Sequence, residues 1–269
     1  MIVSMVSARG SSLIGLLLAV AILLVLGVVM LSSVNKSVTG EGSVVRGTVA
    51  SFQDKQYLYS LFGSIAAAAQ GNEGRYITPG ELTGRRDGRD NTTANLFSAM
   101  IAKYYTVPGQ LISGNEYSPN VVVDEDYDYT AYRPATGTYW DPGFVADLAV
   151  ESNNSFAHVP LYGQRLRQHW RFTTGSRTPL LGNRGPEGGV DDPGSSTYGR
   201  NGRWAGHVVF GDGHIDFIET FTPAGLFLSS AGERRPDNIF DMEEGPDGLD
   251  AILSFTREVT PDGPDLQHD

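Results

Sequence analysis

The sequence predicts an α+β protein, helical through its N-terminal part and built beyond it on an antiparallel β-sheet head with long loops. Three features predict this. An unbroken apolar run fills Leu13 to Leu31, apolar residues then recur at helical spacing from Val45 to Ala68, and two apolar segments flank Gly211-Asp212-Gly213 as in a hairpin. With 33 glycines and 14 prolines in 269 residues, turns are frequent enough to favour a loop-rich β body over a helical bundle.

The run LIGLLLAVAILLVLGVVML carries no charged or strongly polar residue. As a helix rising about 1.5 Å per residue it nearly spans a hydrocarbon core of roughly 30 Å. A cleaved secretory signal would have a shorter apolar region and a small-x-small cleavage site, and Ser32-Ser33-Val34-Asn35-Lys36 offers none. The run reads as a single membrane anchor over residues 11–36. Arg9 and the free amino terminus favour the N-terminus inside the cell and the remainder outside the cytoplasm.

Gly40-Glu41-Gly42-Ser43 reads as a break. From Val44 to Gln70 the residues Val45, Val49, Phe52, Tyr57, Leu61, Ile65 and Ala68 form an apolar stripe, so residues 37–70 are a linker and an amphipathic helix, ended by Gly71 to Gly74. A second helix is expected from Thr93 to Tyr105, capped by Asn91, Thr92 or Thr93. Residues 71–260 form the head. Its candidate strands are Val121–Val123, Ser155–Val159, Leu180-Leu181, Gly206–Phe210 and His214–Ile218. A short helix at Leu249–Phe255 and a disordered tail over residues 261–269 complete the expectation.

The net charge of −11 argues against a nucleic-acid partner, which needs clustered Lys and Arg. With no Cys, disulfides, thiolate metal sites and Cys nucleophiles are excluded. His158, His169, His207 and His214 are available, but the sequence has no Gly-x-Ser-x-Gly elbow, His-Glu-x-x-His helix or phosphate-binding Gly loop. No catalytic residue is assigned. His207 and His214 flank the hairpin, where with Asp212 they form a conceivable metal site.

Asp124, Asp126 and Asp128 alternate like the opening of a calcium loop, and calcium is the one cofactor they suggest. The Gly and Glu an EF-hand needs at its sixth and twelfth positions are Tyr129 and Ala135, so an EF-hand is excluded. A looser calcium site is one reading; a solvated acidic strand edge, with all three on one face, is the other. A second acidic group comprises Asp237, Asp241, Glu243, Glu244, Asp247 and Asp250. The aromatic sets Tyr127, Tyr129, Tyr132, Tyr139 and Trp140, and Trp170, Phe172 and Trp204, read as core or as a carbohydrate- or peptide-binding face.

Two motifs carry a family resemblance. Arg9-Gly10 immediately precedes Ser11-Ser12-Leu13-Ile14 and the apolar run. Near the other end, Val208-Val209-Phe210-Gly211-Asp212-Gly213-His214-Ile215 forms a turn in which Gly213 and Asp212 suit positive φ and local hydrogen bonding. The first resembles the leader of type IV pilins and type II secretion pseudopilins. The second resembles the C-terminal motif of prepilin-like proteins named for a His, nine residues, then Asp-Gly. The leading His of that motif falls on Gly202 here, and the usual Glu of the pilin helix falls on Gly15.

The resemblance implies a pilin-like fold, a long N-terminal helix packed on an antiparallel sheet. It further implies cleavage of residues 1–10 by a prepilin peptidase between Gly10 and Ser11, with methylation of Ser11. Residence in the inner membrane and contact with lipid and other pilin-like subunits would follow. Asp212, Gly213 and His214 would then be a structural turn rather than a chemical centre.

Overall fold

The computed structural model describes residues 42–192, 203–230 and 233–269. The anchor run, Gly10, Ser11, Gly15 and Gly202 therefore lie outside the described residues. Among the described residues no helix is long and apolar enough to cross a membrane. The chain is α+β, with helices in its first part and antiparallel strands afterwards.

Helix α1 runs from Gly42 to Ala69, beginning two residues before the expected start at Val44. The compact body is Ala50–Asp269, and α1 contributes its residues from Ala50 onward. Its buried stripe is Asp54, Leu58, Leu61, Ile65 and Ala69, at steps of three and four. This corrects the expected stripe, because Val49 and Phe52 are exposed while Asp54 is not. The shift has a polar cause: Asp54 accepts hydrogen bonds from Ser113 Oγ at 2.6 Å, the Gly114 amide at 2.9 Å and Asn183 Nδ2 at 3.1 Å. A buried carboxylate so supplied with donors can sit on an interior face.

Helix α2 is the short turn Pro79–Thr83 and α3 is Thr93–Ala102. Thr92 caps α3, accepting from the Asn95 amide. Asn91 instead braces two loops, its Oδ1 accepting from the Gly80 amide and its Nδ2 donating to the Leu161 carbonyl. A two-residue ladder, β1 (Ala146–Asp147) and β2 (Glu151–Ser152), precedes the main sheet. Val121 makes only an isolated bridge to Ser152, so residues 121–123 are not a strand.

The main sheet has four antiparallel strands in the order β3 (Phe156–His158), β4 (Pro179–Asn183), β5 (Gly206–Phe210) and β6 (Ile215–Ile218). Helix α4 (Gly163–Gln168) lies between β3 and β4 in sequence. β3 to β5 are buried throughout because both faces are covered. Alternation along β5 shows it: Val209 joins the core of Leu58, Leu61, Ile65, Phe97 and Met100 from α1 and α3, whereas Val208 and Phe210 join Trp204, Ile239, Phe240 and Leu253. Full burial of each large α1 side chain contributes roughly 1.5–3 kcal/mol.

Two hairpins follow, β7 (Phe227–Ser230) with β8 (Glu233–Pro236), and β9 (Phe255–Thr260) with β10 (Gly263–Gln267). Both C-terminal expectations are corrected here. Residues 249–254 are irregular rather than helical, since their polar backbone groups go elsewhere: Ala251 donates to Asp237 Oδ2, Leu253 donates to the Ile239 carbonyl, and Ser254 pairs with His158. Residues 261–269 are not a disordered tail, because they turn at Pro261-Asp262 and pair as β10. At its end Asp269 is held against the buried Arg184, Nε to Oδ1 at 2.9 Å, while the same guanidinium grips both oxygens of Glu116.

Candidate functional site

The Asp-Gly-His segment is the tip of the β5–β6 hairpin. The Gly213 amide donates to the Phe210 carbonyl at 2.8 Å and the Phe210 amide to the His214 carbonyl at 3.0 Å, closing the turn. Gly213 has φ +87°, a conformation that disfavours any side chain. Asp212 Oδ1 accepts from the His214 amide at 3.1 Å and lies 2.5 Å from His214 Nδ1. These hydrogen bonds, the amide's first, hold the Asp212 carboxyl below its ordinary range. His214 stacks on Phe210 with centroids 4.5 Å apart. The turn also meets α1, for a Cβ on Gly213 would stand 2.6 Å from Phe62 Cε1.

His207 and His214 are not brought together. The register sets His207 opposite Phe217, at the far end of the hairpin from the tip. His207 is buried, with its pKa driven down to about 4 by burial and then by Lys55. Nor is His158 poised for chemistry. Its Nδ1 lies 2.8 Å from the Val159 carbonyl, an acceptor only, so Nδ1 carries the proton. Nε2 then accepts from Thr93 Oγ1 at 2.9 Å, and the same hydroxyl oxygen accepts from the Thr256 amide at 2.7 Å. One imidazole thus ties α3, β3 and β9 together. Its burial lowers its pKa to about 4.

Asp124, Asp126 and Asp128 lie in a turn rather than a strand, so they do not share one face. Asp124 Oδ1 accepts from the Asp126 amide, and Asp128 Oδ1 accepts from both the amide and the hydroxyl of Thr130. Among the described residues no group of three or more His, Asp or Glu is placed to hold one metal ion. The second acidic group is likewise dispersed: Asp250 pairs with Arg165, both fully buried, while Asp247 meets Arg167 at 3.2 Å on the surface. Asp237 is the exception, with Oδ1 buried and lacking a hydrogen-bond partner. Burial first, then the charges of Asp250, Glu243 and Glu244, raise its pKa to about 7 against the opposing Ala251 hydrogen bond.

Of the two aromatic sets, Tyr127, Trp170 and Trp204 are buried in the core, Tyr132, Tyr139 and Trp140 are half-buried, and Tyr129 and Phe172 are exposed. Tyr76 packs edge-on to Trp170 at 5.4 Å, Tyr127 to Tyr129 at 4.9 Å, and Trp204 to Phe240 at 4.8 Å.

Sequence reasoning missed one large concave feature. A cleft of about 930 Å³ opens between the segment Asn72–Gly80, the loop Gly84–Asn91, and the stretch from Leu161 through α4 to Arg171. Arg75, Arg85, Arg86, Arg167 and Arg171 line it, with Glu81, Asp87 and Asp247 the acids among them. Apart from the adjacent Arg85 and Arg86 in the charged loop from Gly84 to Asp90, the arginines are scattered along an acidic sequence. They meet because residues 75 and 171 form an antiparallel bridge and Asn91 pins the loop to Leu161.

No protein family, no curated protein and no solved structure matches this chain.

Proposed function

We propose that this protein is a pilin-like or pseudopilin-like subunit, anchored in the inner membrane by residues 11–36 and serving assembly rather than turnover. In this reading the N-terminus is cytoplasmic, prepilin peptidase removes residues 1–10, and the head stands in the periplasm or outside the cell. The observation that carries it is the seating of the Gly213 turn on Phe62 of α1. It joins the C-terminal motif to the helix that follows the apolar run, as a long N-terminal helix laid on an antiparallel sheet requires. The one core that Leu58, Leu61 and Ile65 of α1 share with Phe156, Leu181 and Val209 of β3 to β5 supports the same arrangement.

Two observations favour a second reading, a singly anchored protein whose head binds a ligand and enters no filament. One is Gly15 where the family has Glu, which removes a charge pair with a neighbouring subunit. The other is the arginine-lined cleft. Mass spectrometry of the mature N-terminus of membrane-extracted protein tests the processing step. A chain beginning at N-methylated Ser11 is expected; an intact Met1 would overturn the pilin-like reading.

A further inference from the structure

We propose that the arginine-lined cleft binds an acidic oligosaccharide, a chain of sugars bearing carboxylate groups. Its volume of about 930 Å³ is at the upper end of the range for small-ligand sites and suits a ligand of a few sugar units. The cationic lining stands against the charge of the whole chain, which is −11, so it is a local concentration of arginine rather than a generally basic surface.

The arginines divide into two sets. Arg75 is paired with Glu81 at 2.8 Å, Arg85 with Asp90 at 3.4 Å and Arg167 with Asp247 at 3.2 Å. Arg86 and Arg171 have no acidic partner among the described residues. Guanidinium forks left without a carboxylate match a carboxylate ligand in shape and in donor number. Arg171 is fixed in place by its backbone bridge to Arg75, and its main chain is further held by the donor contact of Phe172 to Gly74 at 2.7 Å.

The acids decide between classes of anion. Glu81 and Asp247 retain solvent-exposed carboxylates within the cleft, with side chains 37% and 66% exposed. A polyphosphate brings only acceptors and charge to those positions and is repelled. A uronate chain brings hydroxyl donors between its carboxylates, so it satisfies arginine and carboxylate together. The half-buried Tyr162 and Leu166 supply apolar lining for the C–H faces of the rings. Tyr76, also in the wall, has a buried hydroxyl with no hydrogen-bond partner, one further polar group that a hydroxylated ligand or its bound water can satisfy.

The test uses the full-length protein in detergent micelles, titrated calorimetrically with trigalacturonate, with neutral maltotriose, with tripolyphosphate and with triglutamate. Trigalacturonate is expected to bind with an affinity that falls as salt rises, and the other three are expected to bind at least roughly tenfold more weakly. Arg86→Glu with Arg171→Glu is expected to weaken trigalacturonate binding by roughly tenfold or more. Arg177→Glu, an exposed arginine outside the cleft, is expected to leave it unchanged. Both altered side chains of the double variant are off the core, and an unaltered melting temperature confirms that it folds. Absence of trigalacturonate binding, equal binding of tripolyphosphate or triglutamate, or full binding by the double variant overturns the proposal. None of these outcomes bears on processing at Gly10, so the two readings fail independently.

Discussion

Gly213 and Phe62 meet across the fold at a distance that admits no side chain on the glycine: a Cβ there would lie 2.6 Å from Phe62 Cε1. The same glycine holds φ at +87°. Two separate constraints, one on conformation and one on space, therefore fall on one residue of the turn. Gly213→Ala is expected to destabilise the protein by about 1–3 kcal/mol, read as a lowered melting temperature. In the Phe62→Ala background the steric part disappears and the conformational part persists, so the penalty should shrink without vanishing. An equal penalty in both backgrounds would show that the contact carries no weight.

Asp237 makes stability depend on pH in an unusual direction. Its folded pKa, about 7, lies above the ordinary carboxylate value of 3.8. Between those values the folded protein retains a proton that the unfolded chain has released. The contribution is complete below pH 4 and is lost as pH rises through 7, on the order of 4 kcal/mol in all. Asp237→Asn is expected to raise the denaturation midpoint at pH 8 and to change it little at pH 4. A midpoint at pH 8 equal to the wild type's would refute this.

Buried histidines act in the opposite sense. His158, His169 and His207 have folded pKa values near 4, against 6.5 for a free imidazole. Their neutral forms stabilise the fold fully above pH 6.5, and that contribution is lost as pH falls from 6.5 to 4. The wild type should therefore show partial cancellation between histidines and Asp237 in that window. Asp237→Asn should unmask a steeper loss of stability on acidification, measurable by chemical denaturation at half-unit pH steps.

Thr93 serves two buried partners through a single hydroxyl. Thr93→Val keeps the shape of the side chain but strands the Thr256 amide and His158 Nε2. Each unsatisfied buried group costs about 1–3 kcal/mol. We expect a loss of roughly 2–4 kcal/mol in equilibrium unfolding, whereas a change under about 0.5 kcal/mol, the usual level for a harmless surface change, would contradict the network.

Arg184 binds Glu116 and Asp269, and the three side chains are at most 4% exposed. Arg184→Met should take the guanidinium away from two buried carboxylates and cost about 3–5 kcal/mol. Hydrogen exchange should show β10 losing protection first, since Asp269 anchors its end. Uniform loss across the sheet would instead mean that the cluster supports the whole body.

Much of the architecture was legible because its signals are local. The β5–β6 hairpin announces itself in Val208-Val209-Phe210 and Ile215, with Gly213 between, and α3 announces itself in Thr92 and the apolar spacing of Leu96 and Met100. The stripe on α1 was misread because a carboxylate, Asp54, faces inward there, and nothing near it in sequence reveals Ser113, Gly114 and Asn183 as its donors. The C-terminal strand was legible and overlooked: Pro261-Asp262-Gly263 is a turn signature, yet proximity to the end of the chain favoured disorder. Residues 249–254 carry helix-compatible side chains but give their amides to Asp237 and Ile239. The cleft could not be read as such, since its arginines stand on segments that the bridge from 75 to 171 and the Asn91–Leu161 contact bring side by side.

The double grip on α1 has a mechanical consequence. Asp54 is held by the loop at Ser113 and Gly114 and by β4, and Phe62 is met by the hairpin tip. Eight residues separate them, about 12 Å along the helix at 1.5 Å per residue. Two fixings at that spacing resist swivelling as well as withdrawal. A pull along the helix axis, as an N-terminal anchor would deliver, loads both at once in shear instead of peeling them in turn. Residues 50–69 of α1 are thus clamped to the compact body rather than hinged on it, and a load along that stretch is passed to the central sheet.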